Sequence, residues 1–173
     1  MMFVDTNVLM YAVGRSHPLR NEARAFFEAS LVEERPLATS AEVLQELMHA
    51  YIPVNRLETL GAAMKLAVST IQTVWPVEPD DVQFAHQLLE SYRGLGARDL
   101  LHLASCRRRG VRSIKTFDRA LGAAFESERP AQGATIAALP LEHEAENRAR
   151  HGQIRRDFDR VYPLLDLQRR VPV

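Results

Sequence analysis

Apolar residues fall into two rhythms along this chain. The short runs "MFV", "RPLATS", "QTVWPV", "RSIKTF" and a weaker "GATIAAL" read as strands. Between them lie longer stretches in which apolar residues return every three or four positions, as on one face of a helix. "SHPLRNEARAFFEASL" reads as a helix with Ser16 as N-cap and Pro18 in its first turn. "AEVLQELMHAYI" follows, with Thr39 or Ser40 as cap and Pro53 as terminator, and Asn55 is placed to cap "RLETLGAAMKLAVSTI". A helix from about Asp80 to Tyr92, the helix in "GLGARDLLHLASCRRRG" closed by Gly110, and a short one in "DRALGAAF" complete the alternation. Strands alternating with helices predict an α/β fold, three layers deep, with a central parallel sheet of about five strands. The stretch from 139 to 173 breaks the rhythm. It is highly charged, and Ile154, Phe158, Val161 and Leu165 recur at helical spacing, so a helical extension is expected beyond a domain spanning 1–138.

The first strand ends abruptly. After Met2, Phe3 and Val4 come Asp5, Thr6 and Asn7, and then the apolar Val8 to Tyr11. A carboxylate between two buried elements is costly unless it is paired, hydrogen-bonded or bound to a metal. Asp5 can serve as a helix cap or as part of a site, and other carboxylates arriving at the same edge decide between the two. In a parallel sheet that edge is the carboxyl end of the strands, where ligands bind. Asp118 follows the fourth strand, and Asp99 opens a helix that begins at the same edge if it runs antiparallel to the strands. Glu46 lies two turns into its helix, with Glu42 one turn earlier as its rival. Each acid alone has an ordinary structural role. Together they repel one another unless a cation neutralises them, and hard oxygen donors suit Mg²⁺ or Mn²⁺.

Composition narrows the class without changing this picture. The chain of 173 residues is 46% hydrophobic and 25% charged, as expected of a globular domain. No apolar run reaches the roughly 20 residues of a membrane span, and no secretory signal pattern is seen, so a cytoplasmic location is expected. One cysteine, Cys106, excludes an internal disulfide and a cysteine zinc site. The formal net charge is zero, but residues 1–92 hold 6 basic and 12 acidic residues, whereas 93–119 hold 8 basic and 2 acidic. That basic block is compatible with a localised phosphate-binding surface.

"FVDTNVLMYA", "SAEVLQELMHA", "ARDLLHLASC" and "IKTFDRAL" resemble, in order, the acidic motifs of PIN-domain ribonucleases, and most of all the toxin branch of bacterial VapBC toxin–antitoxin pairs. The resemblance covers roughly residues 1–138. It implies Asp5, Glu46, Asp99 and Asp118 as the catalytic, metal-binding quartet, with Mg²⁺ or Mn²⁺ as cofactor and Thr6, Asn7 and Thr116 in support. It also implies endonucleolytic cleavage of RNA, a cognate antitoxin that inserts a segment into the acidic groove, and a homodimer as the expected assembly.

Arg98 and Arg119, each beside one of the acids, and Arg15 in the first loop are the candidate substrate contacts. Arg107, Arg108 and Arg109 lie about 12–15 Å along their helix from Asp99 and belong to its far end. His102, one turn after Asp99, can reach the mouth of the site or pack in the core. Cys106 and Trp75 read as core, and Tyr51 as either packing or a base-stacking ring. The competing reading is a catalytically silent PIN fold that binds RNA or protein. A dehalogenase-type phosphoryl-transfer site would need a second acid where Asn7 stands.

Overall fold

The computed structural model describes residues 1–127, which fall within a compact unit formed by Met1–Pro130. The expected strand in "GATIAAL" and the charged extension from 139 lie outside the described residues.

Four strands are present among the described residues: β1 (Met2–Val4), β2 (Leu37–Ser40), β3 (Thr73–Trp75) and β4 (Ile114–Lys115). All neighbouring pairs are parallel, and the order across the sheet is β3-β2-β1-β4. Seven helices connect and follow them: α1 (Thr6–Val13), α2 (Arg20–Val32), α3 (Ala41–Tyr51), α4 (Leu57–Thr70), α5 (Pro79–Leu88), α6 (Ala97–Arg108) and α7 (Arg119–Glu126). The α/β class with a parallel sheet is therefore as the hydrophobic rhythm predicts.

The strand order places the site. From β1 to β2 to β3 the chain steps in one direction, and from β3 to β4 it jumps back past β1 to the opposite edge. Right-handed crossovers then put α1 to α4 on one face and α5 and α6 on the other. Consistent with this, α1 packs against α2, α3 and α4, while α5 packs against α6. The reversal makes β1 and β4 the flanks of a topological switch point, where the loops diverge and leave a crevice beyond the strand ends.

Strand β1 is the centre of the core. Phe3 and Val4 are fully buried, and Phe3 stacks on Trp75 with ring centroids 5.8 Å apart and meets His102 of α6 at 5.5 Å. The Thr39 hydroxyl donates to the Val4 carbonyl at 2.9 Å, which ties β2 to the end of β1. Cys106 is buried, and burial pushes its thiol well above the usual range, as befits an inert core residue. Tyr51 is also buried, with the Arg56 guanidinium 5.4 Å from its ring centre, so its ring is used in packing.

Two expected caps are corrected. Helix α2 starts at Arg20, not near Ser16, because residues 17–19 form a turn in which the Leu19 amide donates to His17 Nδ1 and the Arg20 amide to the His17 carbonyl. Asn55 does not cap α4. It adopts φ 52°, a left-handed conformation that asparagine tolerates, and the helix begins two residues later. Ser40 does cap α3, accepting from the Val43 amide at 3.3 Å. Helix α5 ends at Leu88, short of the expected Tyr92. Gly110 follows α6 with φ +68°, the left-handed position that releases the chain toward β4.

Candidate metal centre

At the switch point the structure opens a cleft of about 550 Å³ lined by Asp5, Glu46, Asp99 and Asp118 together with Thr6, Asn7 and Arg98. All four acids expected from the sequence thus reach one cavity. Each comes from a different element: the end of β1, the second turn of α3, and the first turns or caps of α6 and α7. Glu42, the rival of Glu46, instead lines a separate apolar groove between α5 and α6.

Asp5 is both cap and site residue. It precedes α1 and accepts from the Thr6 amide at 2.6 Å through Oδ1. Its Oδ2 accepts from Asn7 Nδ2 at 2.6 Å and from the Thr116 hydroxyl at 2.5 Å. That hydroxyl also accepts from Asn7 Nδ2 at 3.1 Å and from the Asp118 amide at 2.9 Å, so all its hydrogen-bonding capacity is used. Asn7 Oδ1 accepts from the Phe117 amide at 3.0 Å. Thr116 and Asn7 therefore lock the β4–α7 loop onto the end of β1 and fix Asp5 relative to Asp118.

Asp118 caps α7 with one oxygen only, Oδ1, which accepts from the Ala120 and Leu121 amides at 2.8 and 2.9 Å. Asp99 accepts from the Gly96 amide at 3.1 Å. Glu46 is buried, its Oε2 accepting from the Thr6 hydroxyl, with Arg98 Nε 3.7 Å and His102 Nε2 3.5 Å from its Oε1.

The carboxyls differ in how well the protein accommodates their charge. Burial pushes Asp5 above the usual carboxylate range, despite the bonds from Thr116 and Thr6. Burial also raises Asp99, with Asp118 and Glu46 adding like-charge repulsion. Burial opposes ionisation of Glu46 too, but His102, Thr6 and Arg98 outweigh it and hold that carboxyl below its usual value.

The tightest group able to hold a metal ion among the described residues is not the expected quartet. It is Asp5, Glu46 and His102, whose ligand atoms lie within 4.8 Å of one another. Asp99 and Asp118 line the same cleft outside this triad. His102, expected either to reach the mouth of the site or to pack in the core, is buried beside Glu46; its spacing three residues after Asp99 places both on one helix face.

Of the candidate substrate contacts only Arg98 lines the cleft. Arg15 and Arg119 are exposed and are not among its lining residues. Neighbouring helix positions point about 100° apart, so adjacency of Arg119 to Asp118 does not bring its side chain to the same place. Arg108 and Arg109 are engaged elsewhere, with Asp81.

A parallel α/β domain with a carboxylate-lined cleft at its switch point gathers oxygen donors of the kind that can hold a divalent cation. The PIN domain family model matches residues 2–124. Ribonuclease VapC23 of Mycobacterium tuberculosis is 58% identical over 127 residues, covering 73% of this chain and all of that protein. Ribonuclease VapC13 of the same organism is 38% identical over 119 residues, 69% of this chain and 91% of the relative. Among solved structures, the M. tuberculosis toxin VapC20, described as cleaving the sarcin–ricin loop, superposes with a TM-score of 0.60 at 23% identity over 72% of this chain and 95% of that one. A toxin–antitoxin complex from Klebsiella pneumoniae gives 0.51 at 22% identity over 68% of this chain and 87% of that one. The chain belongs to the PIN-domain family, and within it to the VapC ribonucleases.

Proposed function

We propose that this protein is a metal-dependent endoribonuclease that hydrolyses RNA phosphodiester bonds as the toxin of a toxin–antitoxin pair. The observation that carries the reading is the convergence of Asp5, Glu46, Asp99 and Asp118 on one cleft, with two of them held above the ordinary carboxylate range. A cluster of hard oxygen donors in which Asp5 and Asp99 are disfavoured in their charged form suits Mg²⁺ or Mn²⁺. When bound, such an ion polarises the scissile phosphate and activates an attacking water.

The protein's own residues supply the rest. Asp5, Asp99, Asp118 and Glu46 would hold the ion. Thr116 and Asn7 keep Asp5 and the Asp118 loop in register. Arg98 at the rim, with its side chain half exposed, is placed to receive a substrate phosphate. Arg15 and Arg119 would contribute only to outlying parts of a longer RNA.

A cognate antitoxin is supported by the VapC names of the relatives and by the toxin–antitoxin complexes among the structural neighbours. Assembly as a homodimer belongs to the same reading and is checked by light scattering of the purified protein.

The test is cleavage of a mixed pool of structured and unstructured RNA by purified protein with Mg²⁺, Mn²⁺ or EDTA, beside Asp5→Asn. Metal-dependent cleavage that disappears in the variant is expected. Bound metal without cleavage of that pool, or of a tRNA and ribosome panel, would overturn the reading in favour of a silent binding module.

A further inference from the structure

We propose that His102 is a positioning residue of this site, donating from Nε2 to Glu46 and fixing that carboxylate for its work in the cleft. This rests on the metal-nuclease reading and names a residue outside the acidic quartet.

His102 is 2% exposed, and neither ring nitrogen has a hydrogen-bond partner among the described residues. Glu46 Oε1 is likewise buried without one. These unpartnered groups face each other at 3.5 Å, just beyond a good hydrogen bond. Buried polar groups without partners carry a penalty, and a short closing movement satisfies both at once.

The tautomer follows from what surrounds the ring. With its proton on Nε2, the imidazole turns a donor toward Glu46 and leaves only a bare acceptor at Nδ1. With its proton on Nδ1, it would bury an N–H that has no acceptor and present a lone pair to a carboxylate. The same argument disfavours coordination of a metal through Nε2, because a ligating histidine normally anchors its other N–H on a partner. No such partner of Nδ1 is present among the described residues.

The ring is also held in place. Phe3 packs on it at 5.5 Å from beneath the end of β1. Glu46 is then gripped from two sides, with the Thr6 hydroxyl on Oε2 and His102 on Oε1. Because Thr6 follows Asp5 and His102 follows Asp99 by one turn, this grip sets Glu46 relative to both aspartates.

Three substitutions test the atom, not merely the residue. A glutamine amide nitrogen reaches the position of Nε2, an asparagine amide falls short of it, and leucine fills the space without a donor. Mn²⁺ binding is read by the free-ion EPR signal, and RNA cleavage as separate kcat and KM. His102→Leu and His102→Asn are expected to lose about 10–100-fold in Mn²⁺ affinity or kcat, with KM for RNA changed by less than about twofold. His102→Gln should recover most of the loss, and the bound Mn²⁺ of the unmodified protein should show no directly coordinated ¹⁴N in its pulsed EPR spectrum.

Strong ¹⁴N coupling would replace positioning with coordination. A His102→Gln as impaired as His102→Leu would reduce the residue to packing, and three variants like the parent would remove it from the site. Thermal unfolding of each variant identifies any that lose the fold, and the Gln–Asn contrast then decides. If the parent binds no Mn²⁺, the nuclease reading itself falls; if it binds and cleaves, only this inference is at stake.

Discussion

Two places in this domain gather acids and bases at the sheet's ends, and they are resolved in opposite ways. At the start of α5, Asp81 is 0% exposed, yet every oxygen is answered. Oδ1 accepts from Arg108 Nη1 at 2.5 Å and Arg109 Nη1 at 2.8 Å, while Oδ2 accepts from Arg109 Nη2 at 3.1 Å and from the Glu78 amide at 2.9 Å. Burial opposes its charge, but the Arg109, Glu78 and Arg108 bonds prevail, and the carboxyl sits below its ordinary range. Arg109 completes the cluster by lying over Trp75 at 5.2 Å. In the cleft, by contrast, Asp5 and Asp99 are left above that range. The first cluster is neutralised by its own chain and stitches α5 to α6. The second leaves Asp5 and Asp99 disfavoured in their charged form, chiefly by burial, which the proposed cation would offset.

This contrast is broken most severely by exchanging the two kinds of aspartate. If Asp99 holds the ion as proposed, Asp99→Asn should reduce metal-dependent RNA cleavage by at least about 100-fold. Asp81→Asn, assayed below its own unfolding temperature, should cleave like the parent. Equal losses in both would mean that the cleft is no more special than the clamp.

On stability the order reverses. Asp81→Asn removes the carboxylate that organises two arginines, and should cost about 2–3 kcal/mol in urea unfolding. That lies just under the range for breaking a wholly buried pair, because both arginines reach solvent and can rehydrate. Added Mn²⁺ should separate the clusters again. At 100 times its dissociation constant it would stabilise the parent and Asp81→Asn alike by about 2.7 kcal/mol, and Asp99→Asn by much less.

The contrast also explains what could be read in the chain beforehand. Asp5 and Asp118 were legible because each follows the end of a short strand, and Asp99 because it opens a helix after a glycine-rich loop. Glu46 and Glu42 stand one turn apart on the same side of α3, so periodicity alone leaves both open and the resemblance to the PIN-domain motifs singles out Glu46; in the fold Glu42 lines a different groove. The clamp at Asp81 left no such mark, since its partners lie 27 and 28 positions away and depend on how α5 meets α6. His102 was ambiguous for a related reason: on an apolar helix face a core histidine and a site histidine look alike until the opposing residue is known. Arg119 is a candidate by its adjacency to Asp118 and Arg15 by its place in the first loop, and either criterion places a backbone but not a side chain. The caps at Ser16 and Asn55 failed because a turn around Pro18 and a left-handed residue displaced the helix starts. Four strands of the sheet were visible from their composition alone, short as they are.

The smallest expected effect is the most specific to the cleft. In metal-free protein the raised carboxyl of Asp99 means that the folded state holds a proton more firmly than the unfolded chain, whose value is about 3.8. Stability from this group is therefore full below 3.8 and is lost as pH rises through the folded value, so at neutral pH the ionised Asp99 works against the fold. Asp99→Asn removes that charge while its amide oxygen can still accept from the Gly96 amide. Without metal, the variant should melt above the parent at pH 7, and the gap should narrow as pH falls toward 4. Asp5→Asn should show no such gain, because its NH₂ group would confront Asn7 Nδ2 and a Thr116 hydroxyl already committed to other bonds. A pH-independent gap for Asp99→Asn would show that repulsion among the cleft acids is not its source. Melting curves at pH 4 and pH 7 in the presence of EDTA decide the matter.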